Sequence, residues 1–146
     1  MPRSIARIVA LFAILLIALP LRAQGEPTKV EIVKLAKPAT AYVEVPNVGS
    51  GSAFCIHPTG LFITNEHVVR GEKGEITLVL DSSLKTQRVL KAKVVRSDKA
   101  LDLALLRVEY VKDIPSLTLG SIDGLVELSP VIAFGFPLGR GLSTDV

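Results

Sequence analysis

Short apolar runs with polar residues at alternate positions dominate the chain from residue 39 onward. Runs of this kind, separated by turn-forming residues, are typical of β-strands. The pattern predicts strands over residues 39–45, 53–56, 61–64, 75–80, 89–96 and 103–108. No segment after Pro38 shows ten residues with a helical period, so the predicted fold class is all-β. Short strands at fairly regular spacing favour a sandwich or a barrel over βαβ units.

The two flanks of this strand region have a different pattern. Residues 24–37 are polar with a few apolar positions, which predicts an N-terminal arm, either a helical turn or extended, that Pro38 ends. Residues 114–126 contain Pro115, Gly120 and Gly124 and are the best candidate for a linker. A new buried strand is then predicted over residues 131–134. We therefore expect a first domain over residues 38–122 and the start of a second over residues 123–146.

The beginning of the chain predicts a secretory signal peptide over residues 1–23. Twelve consecutive apolar residues (8–19) follow Arg3 and Arg7, and the small residue Ala23 comes shortly after them. Twelve residues are too few for a membrane span, which needs about 20. Cleavage after Ala23 would leave an exported chain, periplasmic or extracellular, with no stable membrane span. An uncleaved N-terminal anchor is the alternative.

The net charge of the chain comes entirely from this N-terminal segment. The 146 residues carry a formal charge of +3, from 17 basic and 14 acidic side chains. Three of the basic residues and none of the acidic ones lie in residues 1–23, so residues 24–146 are formally neutral. A neutral domain has no electrostatic attraction for nucleic acid, and we expect no nucleic-acid partner.

The single cysteine and the two histidines limit the covalent and metal chemistry. Cys55 has no partner for an internal disulfide and lies between Phe54 and Ile56, which predicts a small buried hydrophobe. Two histidines without a second cysteine or a helical histidine pair give no credible zinc site. We expect no cofactor and no metal.

Three segments, in this order, resemble the trypsin-like serine peptidases, in particular the disulfide-free bacterial HtrA/Deg type. They are GSGSAFCIHPTGLFITNEHVV (49–69), DLALLRV (102–108) and VIAFGFPLG (131–139), and the resemblance covers residues 38–146. It implies a trypsin-like antiparallel β-barrel, the first of two, followed by the first strand of the second. It also implies a serine endopeptidase whose substrates are unfolded polypeptides.

The resemblance implies that His67 is the catalytic general base and Asp102 the carboxylate that orients it. A serine hydroxyl is a poor nucleophile until an imidazole takes its proton, and the imidazole needs an acceptor that fixes its tautomer. Taken alone, a histidine is more often a surface residue and a strand-opening aspartate more often a turn cap. His57, in a hairpin turn, is expected to be exposed and without a role, and Asp98 to belong to a polar turn.

The serine nucleophile is missing from the sequence. The resemblance places it in a Gly-x-Ser-Gly-Gly segment of the second barrel, but the chain contains neither Gly-Gly nor Gly-x-Ser-x-Gly. Ser143 is the last serine and no glycine follows it, whereas Ser50 and Ser52 fall in a glycine-rich turn. The 146 residues are therefore expected to be inactive alone. They are either a fragment, which the ending soon after a new strand favours, or a natural short form. The family commonly carries a peptide-binding PDZ domain downstream.

Two alternatives to a peptidase remain open from the sequence. The first is a non-catalytic β-barrel that binds peptides or proteins in its cleft or by adding a strand to an exposed sheet edge. The second is an unrelated exported β-domain, in which His67 and Asp102 would lie far apart. Whether the chain is a fragment or a natural short form of a peptidase, a first barrel without a second one would expose an apolar face. We therefore expect poor solubility or homo-oligomers.

Overall fold

The computed structural model describes residues 26–72, 74–82, 84–137 and 139, and the predicted signal peptide lies outside them. The all-β class is confirmed, with two helices beside the strands. The elements in chain order are α1 (Lys29–Ala39), β1 (Thr40–Val45), β2 (Gly49–His57), β3 (Leu61–Thr64), α2 (Glu66–Val69), β4 (Ile76–Leu80), β5 (Arg88–Asp98) and β6 (Leu103–Val108).

The six strands form a closed antiparallel barrel in the order β1-β2-β3-β6-β5-β4. Closure comes from β1 and β4, where Ala41 pairs with Leu80 and Val43 with Leu78. Every strand of this barrel consequently has a neighbour on both sides. Strand addition at an exposed sheet edge, one of the binding modes considered from sequence, therefore has no fully unpaired strand to add to in the described barrel, and only strand ends such as residues 49–52 of β2 extend past a partner.

The inward-facing side chains of all six strands fill the barrel. The largest that are almost completely buried are Phe62, Ile76, Leu78, Leu80, Leu106, Val43 and Val45. Cys55 lies among them and is fully buried, as predicted, and its Sγ donates to the carbonyl oxygen of His57 at 3.1 Å. Burial raises the pKa of the Cys55 thiol, so the reactive thiolate is disfavoured.

The N-terminal arm is helical, and Pro38 does not end it. Thr28 and Glu31 form a capping box: the Thr28 hydroxyl accepts from the Glu31 amide at 3.3 Å, and the Glu31 carboxylate accepts from the Thr28 amide at 2.8 Å. The helix continues through Pro38 to Ala39 because Thr40 donates hydrogen bonds to carbonyl oxygens of its last turn. Its hydroxyl donates to the Ala36 oxygen at 2.8 Å and its amide to the Lys37 oxygen.

The strand predicted over residues 131–134 is wrong. These residues have no strand structure, and residues 109–137 contain neither helix nor strand. A strand needs a hydrogen-bonded neighbour, and the strands of the closed barrel already pair with one another. The segment instead packs on the outside of the barrel. The Phe136 amide donates to Ser52 Oγ at 2.7 Å, and the Phe136 ring meets Tyr42 edge to face with 5.7 Å between centroids.

Large apolar side chains are exposed in the segment that follows the barrel. They are Leu119, Ile122, Leu125, Val126, Leu128 and Val131. The homo-oligomer expected from the sequence stays a prediction.

Candidate active site

His67 lies on a four-residue helix whose apolar residues anchor it at one end of the barrel. Strand β3 ends at Thr64, Asn65 precedes the helix, and α2 runs over Glu66–Val69. Val69 is buried in the core and Val68 packs against it. With these two side chains directed inward, the side chain of His67 lies 59% exposed at the surface.

Asp102 is held at the end of a tight turn between β5 and β6. Asp98 Oδ1 accepts from the Ala100 and Leu101 amides at 2.9 and 3.0 Å, which makes Asp98 the turn residue that the sequence predicts. Asp102 itself has a φ of +51°, in the left-handed region, where aspartate is enriched among non-glycine residues. This conformation brings the chain into β6 directly after the carboxylate.

The structure brings His67 and Asp102 into direct contact across 35 residues of sequence. Asp102 Oδ2 lies 2.7 Å from His67 Nδ1, and Asp102 Oδ1 accepts from the His67 backbone amide at 2.9 Å. Both carboxylate oxygens thus bind the same residue, one through its ring and one through its backbone. The hypothesis of an unrelated β-domain, which requires these residues to lie far apart, is wrong.

Asn65 is a third member of this cluster that the sequence reasoning did not identify. Its side-chain amide donates to Asp102 Oδ2 at 3.1 Å and to the Asp102 backbone oxygen at 3.2 Å. The only signal in the sequence is its position two residues before His67, within the Thr-Asn-x-His-Val segment. Asn65 therefore ties the Asp102 turn to the start of α2 through two further hydrogen bonds.

The hydrogen bonds around Asp102 define what the imidazole can do. The backbone amide of His67, followed by its side chain and with a smaller contribution from Asn65, lowers the pKa of Asp102. An ionised carboxylate only accepts hydrogen bonds, so His67 Nδ1 must carry the proton in their contact. In the neutral ring, Nε2 is then the acceptor. Nε2 is thus the ring nitrogen able to take up a proton, on a side chain that is 59% exposed.

We expect acidification to break this cluster at a pH below the usual range for aspartate. Because the folded-state pKa of Asp102 is lowered, its contribution to stability is complete above the ordinary carboxyl pKa and is lost as the pH falls through the lowered value. A ¹³C NMR titration of the Asp102 carboxyl carbon measures this midpoint. His67→Ala should raise the midpoint without restoring the ordinary value, since the backbone amide at residue 67 remains. Asn65→Ala should raise it less, and an unshifted wild-type midpoint would contradict the geometry.

The other candidate residues lie elsewhere or already have partners. His57 is exposed at the end of β2 rather than in the turn, and its Nδ1 lies 2.8 Å from Thr59 Oγ1. Ser52 is engaged with Phe136, and Ser50 is exposed in β2 rather than in a turn. Ser143 lies outside the described residues. Within the described part of the chain, no cluster of three or more metal-ligating side chains occurs.

A closed six-stranded antiparallel barrel with a His–Asp pair at one end defines the trypsin-like class of peptidase domains. The model of the trypsin-like peptidase domain family matches residues 51–145, well over half of the chain. The chain belongs to this family, which confirms the resemblance seen in the sequence.

The similar proteins are serine proteases of the HtrA/Deg type and a magnetosome protease. The chain is 38% identical over 110 residues to "Magnetosome formation protease MamE" of Paramagnetospirillum magneticum, a match that covers 75% of this chain and 14% of that protein. It is 38% identical over 90 residues to "Probable periplasmic serine endoprotease DegP-like" of Hahella chejuensis, covering 62% of this chain and 18% of that protein. The chain thus spans less than a fifth of the length of these relatives.

Solved structures of HtrA-type proteases have the same fold. The HtrA-type protease AlgW with tripeptide superposes with a TM-score of 0.58 at 33% identity, covering 68% of this chain and 32% of that one. Deg5 gives a TM-score of 0.58 at 26% identity, covering 66% of this chain and 50% of that one. The described residues include no helix with the length and apolar character needed to cross a membrane.

Proposed function

We propose that this chain provides the base-bearing barrel of an HtrA-type serine endopeptidase, with His67 as the general base and Asp102 as its orienting carboxylate. The observation that supports this proposal most strongly is the 2.7 Å contact between His67 Nδ1 and Asp102 Oδ2. It leaves Nε2 as the basic nitrogen of a half-exposed ring. Such a nitrogen is available to a hydroxyl group that approaches from outside the barrel.

The pair moves one proton in two steps, first from a serine hydroxyl to His67 and then from His67 to the leaving amine. His67 Nε2 takes the proton of a serine hydroxyl as the oxygen attacks a peptide carbonyl, and the ring becomes a cation. Asp102 stabilises that cation, while its bonds from the His67 amide and Asn65 hold the carboxylate in place. The ring then gives the proton to the leaving amine, so the peptide bond breaks with the base regenerated.

The serine and the oxyanion-binding amides are not provided by an identifiable motif in this sequence, which lacks Gly-Gly and Gly-x-Ser-x-Gly. We therefore propose that the 146 residues alone do not cleave peptides. The purified chain should hydrolyse unfolded casein no faster than its His67→Ala variant. Hydrolysis that His67→Ala abolishes would show that the chain contains its own nucleophile and would overturn this part of the proposal.

We also propose that the chain is exported and acts on unfolded polypeptides. Support comes from the apolar run at residues 8–19 and from relatives whose names describe periplasmic serine endoproteases. Expression with residues 1–23 in place, followed by N-terminal sequencing of the periplasmic product, tests export. A product that begins at Gln24 supports cleavage after Ala23, and full-length protein confined to the cytoplasm would contradict it.

A further inference from the structure

Gly51 lies where a side chain would collide with the helix that carries His67. A Cβ atom built on Gly51 falls 2.7 Å from Val68 Cγ2 and 2.9 Å from Val68 Cγ1, well inside the contact distance of carbon atoms. The φ of Gly51 is not in the left-handed region, so its backbone conformation does not require glycine. The close approach of Val68 is therefore the physical reason for a glycine here.

The register of the barrel explains why Val68 reaches this position. Gly51 pairs with Val43, which is fully buried, so both positions face the barrel interior. Val68 fills the space that the missing side chain leaves and packs against the core residues. The next residue toward the N-terminus is His67, whose amide binds Asp102 Oδ1 at 2.9 Å. Because one peptide unit joins His67 to Val68, the depth at which Val68 packs in the barrel affects where the His67 amide lies.

We propose that Gly51 forms a steric seat for Val68: the missing side chain at residue 51 leaves the room that Val68 needs for His67 to reach Asp102, which makes Gly51 a positioning residue of the site. Its catalytic meaning rests on the function proposed above, but its geometric content does not. If a methyl group is added at residue 51, α2 yields before β2 does. Strand β2 is paired with β1 at Gly51 itself and with β3 from Ala53 onward, whereas α2 is only four residues long.

The test uses Gly51→Ala, Val68→Ala and the double variant in the same chain. The readout is the low-field ¹H NMR signal of a His67 Nδ1 proton shared with Asp102, together with the ¹³C titration midpoint of the Asp102 carboxyl. Gly51→Ala should remove the low-field signal and raise the Asp102 midpoint, because it moves His67 away from the carboxylate. Val68→Ala alone should keep both properties.

The double variant distinguishes a seat from a general loss of stability. Val68→Ala removes the two colliding Cγ atoms and leaves the Val68 Cβ position 3.4 Å from the new Cβ. The low-field signal and the lowered Asp102 midpoint should therefore return in the double variant, even though its urea midpoint stays below the wild-type value. Gly120→Ala is the matched control, since Gly120 has open space around it and should change neither property. If Gly51→Ala alone fails to fold, the double variant still decides.

The outcomes separate this inference from the proposed function. A wild-type chain without the low-field signal would overturn the His67–Asp102 pair itself. A wild-type signal that persists in Gly51→Ala, or one that is lost there and does not return in the double variant, would overturn the seat and leave the pair intact.

Discussion

Replacing His67 with alanine should lower kcat by about 10⁶-fold in a chimera that has a nucleophile. In this chimera, the stretch of this chain that matches the DegP-like protease of Hahella chejuensis over 90 residues replaces the matching stretch of that protease, which contributes the rest of the protein. Without the imidazole, nothing in the site takes the proton from the attacking hydroxyl. Hydrolysis of casein or a peptide substrate under saturating conditions measures kcat. This is the largest effect that we expect.

Two further variants give the chimera its internal controls. Asp102→Asn should lower kcat by about 10⁴-fold, because asparagine tolerates the left-handed backbone but no longer fixes the Nδ1–H tautomer. His57→Ala should leave kcat unchanged, since His57 contacts Thr59 in a turn. A chimera that keeps its activity after His67→Ala, or loses it after His57→Ala, would contradict the assignment of the base.

Phe62→Ala should cause the largest loss of stability in the isolated chain. Phe62 lies on β3 and is the bulkiest of the fully buried side chains. Its truncation removes buried apolar surface and leaves a cavity, at a cost of about 3–5 kcal/mol. Since small domains are stable by about 5–15 kcal/mol, this is a large share of the free energy of unfolding, and the urea midpoint should fall accordingly. Urea unfolding followed by circular dichroism measures the change.

Leu119→Ala is the control for this comparison. It also truncates a large apolar residue, but Leu119 is 63% exposed in the segment after the barrel. Surface substitutions of this kind change the free energy of unfolding by less than about 0.5 kcal/mol. Equal losses for the two variants would mean that the barrel interior does not hold the fold together.

The alternation of apolar and polar residues predicted strands β3 and β6 well because one face of each strand is buried. Strands β3 and β6 begin and end where the apolar runs do, at residues 61–64 and 103–108. The start of β2 was predicted as a turn because glycine and serine are typical of turns, yet residues 49–52 pair with β1 along their whole length. The tertiary partner decides the conformation there, and a local pattern cannot supply it.

In the candidate active site, too, the sequence motifs indicate residues but not the contacts between them. The family resemblance pointed to His67 and Asp102, but only the closed barrel shows that both carboxylate oxygens bind His67. Asn65 and Gly51 were visible as residues of the quoted segments without a function. Their functions depend on distances to Asp102 and Val68, which are remote from them in sequence. No pattern of residue types contains such distances.

The tautomer of His67 tests the central claim most directly. In the chain labelled with ¹⁵N-histidine, long-range ¹H–¹⁵N spectra at mildly alkaline pH distinguish protonated from unprotonated ring nitrogens, and His57→Ala assigns the two rings. We predict that His67 carries its proton on Nδ1, with a low-field signal that Asp102→Asn removes, and that Nε2 is unprotonated. A His67 ring protonated on Nε2, or one unaffected by Asp102→Asn, would contradict the proposal that this pair forms the base of a serine peptidase.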